Sequence, residues 1–186
     1  ESGDTYLLKK ILNRRMTPED ILFRARILKD AGIKVITYNM VGLPYEDNLK
    51  ILRTIKLNAN IGPVRIRKSI FYPYPGTALF ELLKKMQLLS ADIRDNYETD
   101  TILNFDRTTR NRIKFFHRYF RILTRLYILA KRLPGLEKIL DKIFITDRFF
   151  YSGLVYCYDF FYNTLRFVYL KSAIKFIPRT KIYKIG

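Results

Sequence analysis

The sequence predicts an α/β fold built on about two parallel strands with helices, followed by a mainly α-helical C-terminal region. Three observations predict it. Residues 1–90 alternate helical and strand-like patterns in the order expected of parallel α/β architecture. Each strand-like run ends in a Gly/Pro loop that leads directly into a helix start. Beyond Asp106 the periodicity is helical, and the composition turns basic and aromatic.

The elements follow in order. Leu8, Ile11 and Leu12 repeat at three and four residues. Thr17-Pro18-Glu19-Asp20 then starts a second helix, because Thr17 can cap, Pro18 suits the first helical position and the acids favour the N-terminal dipole. This helix runs to about Ala31, and Gly32 ends it in the left-handed conformation. Ile33 to Val41 is rich in β-branched and aromatic residues and stops at Gly42-Leu43-Pro44, which predicts a strand. Glu46-Asp47-Asn48 opens a helix whose Leu49, Leu52, Ile55 and Leu57 form an apolar stripe to about Asn60. Gly62-Pro63 breaks it, and Val64 to Tyr72 reads as the next strand. Its alternation is imperfect, since Arg65, Arg67 and Ser69 share one face. Thr77 caps a further helix from about Ala78 to Gln87.

Residues 92–106 read as a polar connector. From Arg107 to Leu133 the chain carries its clearest long helix, with Ile113, Phe116, Phe120, Leu123, Tyr127 and Ala130 on one side and a run of arginines opposite. Pro134-Gly135 ends it, and shorter helices are expected at about 136–145, 148–162 and 164–176 before a basic tail from Pro178. The domain reading is therefore 1–91, a connector 92–106, and a helical extension 107–186. Two strands cannot close a barrel or bury both of their faces, and the first residues read as the interior of an element. The chain is expected to be a piece of a longer polypeptide.

Charge narrows the partners. Of the net charge of +18, residues 1–106 hold 17 Lys/Arg against 13 Asp/Glu, and residues 107–186 hold the other 18 against 4. A segment that is cationic and aromatic favours a polyanionic surface, such as phospholipid headgroups, nucleic acid or an acidic partner. No charge-free stretch approaches the roughly twenty apolar residues a membrane span needs, whereas lying on a membrane surface suits a basic face opposite a Phe/Leu/Tyr face. The single cysteine, Cys157, rules out an internal disulfide framework and a cysteine-only cluster site within the chain, and fits a reducing, cytoplasmic setting. Cys157 reads as a small buried hydrophobe, and the lone His117 as a surface or interfacial residue.

Three loops fall where strands end: Glu1-Ser2-Gly3, Asn39 to Pro44, and Phe71 to Thr77. Loops at that edge have free backbone groups and adjoin helix N-termini, so they are natural ligand contacts. Glu1 could pair with an ammonium, Ser2 and Asn39 with hydroxyls; Gly42 permits close backbone approach, and Phe71 and Tyr72 could pack on a planar ring. Equally, Gly42-Leu43-Pro44 and Pro73-Tyr74-Pro75-Gly76-Thr77 could simply turn the chain and cap helices.

In order, ESG, a strand ending in YNMVGLP with acids just after, and a strand ending in SIFYPYPGT resemble the fourth to sixth strands of the radical S-adenosylmethionine (SAM) partial (β/α)6 barrel, most like members that also have a cobalamin-binding domain. The resemblance covers roughly residues 1–90. It implies that Glu1 and Ser2 meet the amino-acid and ribose parts of SAM, that Asn39, Met40 and Gly42 contribute to the ribose and adenine site, and that Phe71 and Tyr72 lie beside the adenine. It implies for the parent protein a [4Fe–4S] cluster that cleaves SAM reductively to a 5′-deoxyadenosyl radical. It also suggests cobalamin, carried by an N-terminal domain outside this chain, with methylation, rearrangement or ring formation as the outcome. The three-cysteine cluster loop and the glycine-rich methionine-binding segment have no counterpart here, so the chain alone is expected to be inactive. Its partners would be the missing N-terminal part of the same polypeptide and a small-molecule or lipid substrate, with the tail as lid, substrate region or dock on an anionic membrane. The competing readings are a non-catalytic basic module binding anionic membrane or nucleic acid, the latter without any recognisable motif, and a scaffold that has lost catalysis.

Overall fold

Two parallel strands, β1 (Ile36–Val41) and β2 (Arg65–Ile70), lie in register from Ile36 opposite Arg65 to Val41 opposite Ile70. The structure is a computed structural model and describes residues 1–89 and 101–146. The connector's first part, the helices expected at 148–162 and 164–176, the tail from Pro178 and Cys157 lie outside the described residues. The described residues fall within one compact unit spanning Glu1–Asp147.

The helices are α1 (Pro18–Asp30), α2 (Asn48–Ile61), α3 (Ala78–Lys85), α4 (Arg107–Ala130) and α5 (Leu136–Ile145), of which α2 and α4 pack on the strands, and a π-helical turn, Leu7–Ile11, precedes α1. The starts follow local chemistry. Thr17 and Asp20 form a reciprocal capping box at α1, with Pro18 in the first turn. Asp47 caps α2, Thr77 caps α3 and Asp106 caps α4 through their side-chain oxygens. Gly62 closes α2 in the left-handed region at φ 59°, so that β2 can begin three residues later.

Strand alternation and register divide the sheet into two faces. Thr37, Asn39 and Val41 of β1, with their partners Ile66, Lys68 and Ile70 of β2, lie on the side that α2 and α4 cover. Ile36, Tyr38, Met40, Arg65, Arg67 and Ser69 lie on the other face, where Tyr38 is 69% exposed and both arginines are exposed. That accounts for the broken alternation of β2: its arginines sit on a face that α2 and α4 do not cover.

Helix α4 departs from the expected division at residue 107. Its apolar stripe, Ile113, Phe116, Phe120, Leu123, Tyr127 and Ala130, is buried, and α4 packs on α2, β2 and β1. Residues 107–145 are thus the second outer cover of the sheet, in the same unit as the strands. Tyr127 reaches α5 by donating to Asp141 (2.8 Å), and Lys56 of α2 pairs with both Asp141 and Glu137. The aromatic stripe of α4 is therefore core, and its outward side carries arginines together with Ile122, Ile128 and Leu129. The supposedly polar connector also ends in buried residues, Thr101, Ile102 and Leu103, with Leu103 bridging Leu89.

Candidate functional site

All three expected loops leave the carboxyl edge of the parallel sheet. The position of Glu1 is decisive. Its backbone nitrogen donates to Tyr38 O (2.8 Å), and its carbonyl accepts from Met40 N (2.9 Å). That is the bonding pattern of a parallel bridge between Glu1 and Asn39. Glu1 therefore pairs with the free edge of β1 at Asn39, and Ser2-Gly3 leads away from that edge toward α2.

The first loop is bound tightly to α2. Gly3 N donates to Thr54 Oγ1 (2.8 Å), and Ser2 Oγ lies 3.4 Å from the same oxygen. A side chain at Gly3 would start 2.6 Å from the backbone of Arg53 and Thr54, so only glycine allows this approach. Asp4, almost fully buried, accepts from Leu7 N and pairs with Arg53 at 2.6 Å, which anchors the π-helical turn to α2. The Glu1 carboxylate takes two bonds of 2.6 Å from the Arg14 guanidinium, and this contact holds its carboxyl below the usual range.

The second loop is organised by Glu46. Gly42 turns at φ 91°, and Glu46 Oε2 accepts from Gly42 N (2.6 Å) and Leu43 N (3.3 Å). Arg112 of α4 donates to the Glu46 carbonyl at 3.0 Å. Burial pushes the Glu46 carboxyl up to about 8 against those two N–H bonds and the nearby Arg112 charge. Glu46 Oε1 and Arg112 Nε are both buried without a hydrogen-bond partner. In the third loop Phe71 is buried, Tyr72 meets Tyr74 edge-on at 5.5 Å between ring centres, and Thr77 bonds back to Tyr74 O while capping α3.

The seven expected contact residues separate into three groups. Glu1 and Ser2 stand together at the first loop, with Asn39 bridged to Glu1 through the backbone. The Asn39 side chain, however, turns to the helix-covered face. It donates to Thr37 Oγ1, Asn58 Oδ1 and Arg67 O, and accepts from Asn58 Nδ2 at 2.7 Å, so its polar atoms are engaged in structure. Phe71 belongs to a core cluster with Leu7, Leu43, Leu83 and Leu103, against which Met40 packs. Gly42 packs under Ile113 of α4. Tyr72 is half-buried at the rim.

The residues that hold the loops in place were not legible as a site. Asp4, Thr54, Asn58 and Arg112 lie on other elements, and no local pattern marks them. Glu46 carried a signal, an acid four residues after a loop glycine, but it reads equally as the first turn of a helix. Among the described residues no group of three or more His, Cys, Asp or Glu could hold a metal ion. A groove of about 510 Å³ runs along the open edge of β1, lined by Leu28 and Ala25 of α1, Ile36 and Tyr38 of β1, and Leu57 and Ile61 of α2. Among the described residues no helix is long and apolar enough to cross a membrane. No model of a known protein family matches the chain, and no curated protein matches it either.

Proposed function

We propose that this chain supplies the cluster-free half of a radical SAM barrel, with its three loops forming one wall of the SAM pocket. The observation that carries the reading is the parallel bridge of Glu1 to Asn39. It supports reading Glu1 as a strand end, which would align three successive strand ends and the loops after them along one edge of a parallel sheet. The groove beside β1 supports it further. Alternation turns the Tyr38 N–H and the Ile36 carbonyl toward that groove, where a strand running into Glu1 would pair with them. Apolar residues of α1 and α2 wait on its far side.

In this reading the open face of the sheet, Tyr38 and Ser69, with Tyr72 at the rim, is the surface presented to the adenosyl moiety, and Met40 backs it from the Phe71 core cluster. Glu46 holds the Gly42 loop in shape from behind. Asn39 acts as a positioning residue, fixing β1 on α2 through Asn58. A [4Fe–4S] cluster would supply the electron for SAM cleavage, and this reading assigns its ligands, and any cobalamin, to polypeptide outside this chain. The coding sequence upstream of Glu1 tests the reading. It should encode a β/α pattern and a loop with three closely spaced cysteines, and the chain alone should take up no iron–sulfur cluster on anaerobic reconstitution. An upstream sequence without such a cysteine loop overturns the reading.

A further inference from the structure

At the opposite end of the sheet from the three loops, the segment entering β2 and the outer side of α4 form a cleft of about 320 Å³. Its lining includes Val64, Arg65, Ile66, Arg121, Arg125 and Ile128. Two guanidinium groups of α4, those of Arg121 and Arg125, thus stand beside the start of β2, and none of the cleft's lining residues is acidic. Arg65, Arg121 and Arg125 are all exposed and take part in no ion pair among the described residues. Arg121 is held in place by donating from Nε to Ile66 O at 3.0 Å, which leaves its terminal nitrogens for another acceptor. Helix α4 contains no Asp or Glu to neutralise them.

We propose that this cleft binds the phosphate group of a phosphate ester. Guanidinium groups match a phosphate oxyanion with paired N–H donors, and two beside one cleft remove the need for a metal counter-ion. The cleft is larger than a bare phosphate requires, and Val64 and Ile128 offer an apolar wall to the organic part of the ester. The surrounding field is positive. Lys68, half-buried two positions beyond Ile66 on β2, bonds the His117 carbonyl, and burial followed by the Arg121 and Arg118 charges depresses its ammonium to about 8. This site stands apart from the SAM reading, since it lies at the amino end of β2 and uses none of the three loops.

The experiment is calorimetric titration of the full 186-residue chain with glycerol 3-phosphate, alongside sedimentation with phosphatidylcholine vesicles with and without phosphatidylglycerol. Saturable binding of glycerol 3-phosphate identifies a soluble ester as the source, and binding only to the phosphatidylglycerol vesicles identifies a lipid headgroup. In either case Arg125→Gln should weaken binding about tenfold or more, as loss of a charge-assisted hydrogen bond does, with the melting temperature unchanged. Lys84→Gln on α3 removes the same charge elsewhere and should leave affinity within about twofold, as expected of a remote exposed charge. The proposal fails if neither probe binds saturably, or if Lys84→Gln weakens binding as much as Arg125→Gln does.

Discussion

At the scale of single residues, Glu46 shows how a loop glycine becomes a fixed feature. The carboxyl oxygen that caps Gly42 N and Leu43 N sits in the interior, where burial raises its affinity for a proton to about 8 from an ordinary 4.5. The folded protein therefore holds a proton that the unfolded chain releases above 4.5. The stability this contributes is full below 4.5 and is lost as pH rises through 8. His117 has the opposite sign. Burial, then the Lys68 charge, lowers it to about 4 from 6.5, so its contribution is present above 6.5 and is lost as pH falls toward 4. Between pH 6.5 and 8 the two no longer offset each other, and stability should fall by about 1 kcal/mol per pH unit. Glu46→Gln, which keeps an acceptor for the loop and removes the titration, should flatten that slope in urea unfolding at several pH values. An unchanged slope contradicts the assignment.

At the scale of elements, the sequence carried the helices better than their roles. The caps at Thr17, Asp47, Thr77 and Asp106 are local chemistry and were readable, at least as the helix starts they produce. The 3.6-residue spacing in α4 was readable as well, yet spacing alone cannot say what an apolar stripe faces. A stripe of Phe and Tyr opposite arginines suits a membrane surface and a protein core equally. The structure buries it: Phe116 and Phe120 are fully enclosed, and α4 packs on α2 and both strands. Phe120→Ala should therefore lower the unfolding free energy by about 3–5 kcal/mol in chemical denaturation, as emptying a core aromatic site does. A change below about 1 kcal/mol, the scale of an exposed site, would place α4 outside the core. Asn39 teaches the same lesson on β1. Its place at a strand end was legible, but the direction of its side chain depends on Asn58, nineteen positions away on α2.

At the scale of the whole molecule, the described helices cover one face of the sheet. Helices α2 and α4 close one face, while Tyr38 and Arg67 stand exposed on the other, and the groove beside β1 lies open along the edge that Glu1 begins to occupy. The sequence showed that two strands leave a face uncovered; it could not show that Glu1 pairs with β1, because that bond depends on placement in space. The central claim is that this geometry is one half of a radical SAM active site. The most direct measurement is 5′-deoxyadenosine formation from SAM under anaerobic, reducing conditions. It would compare the chain extended by its natural upstream sequence and loaded with iron and sulfide against the 186-residue chain treated identically. The account predicts product from the extended protein and none from the chain alone. Product from the chain alone, or none from an extended protein that has demonstrably taken up a [4Fe–4S] cluster, would contradict it.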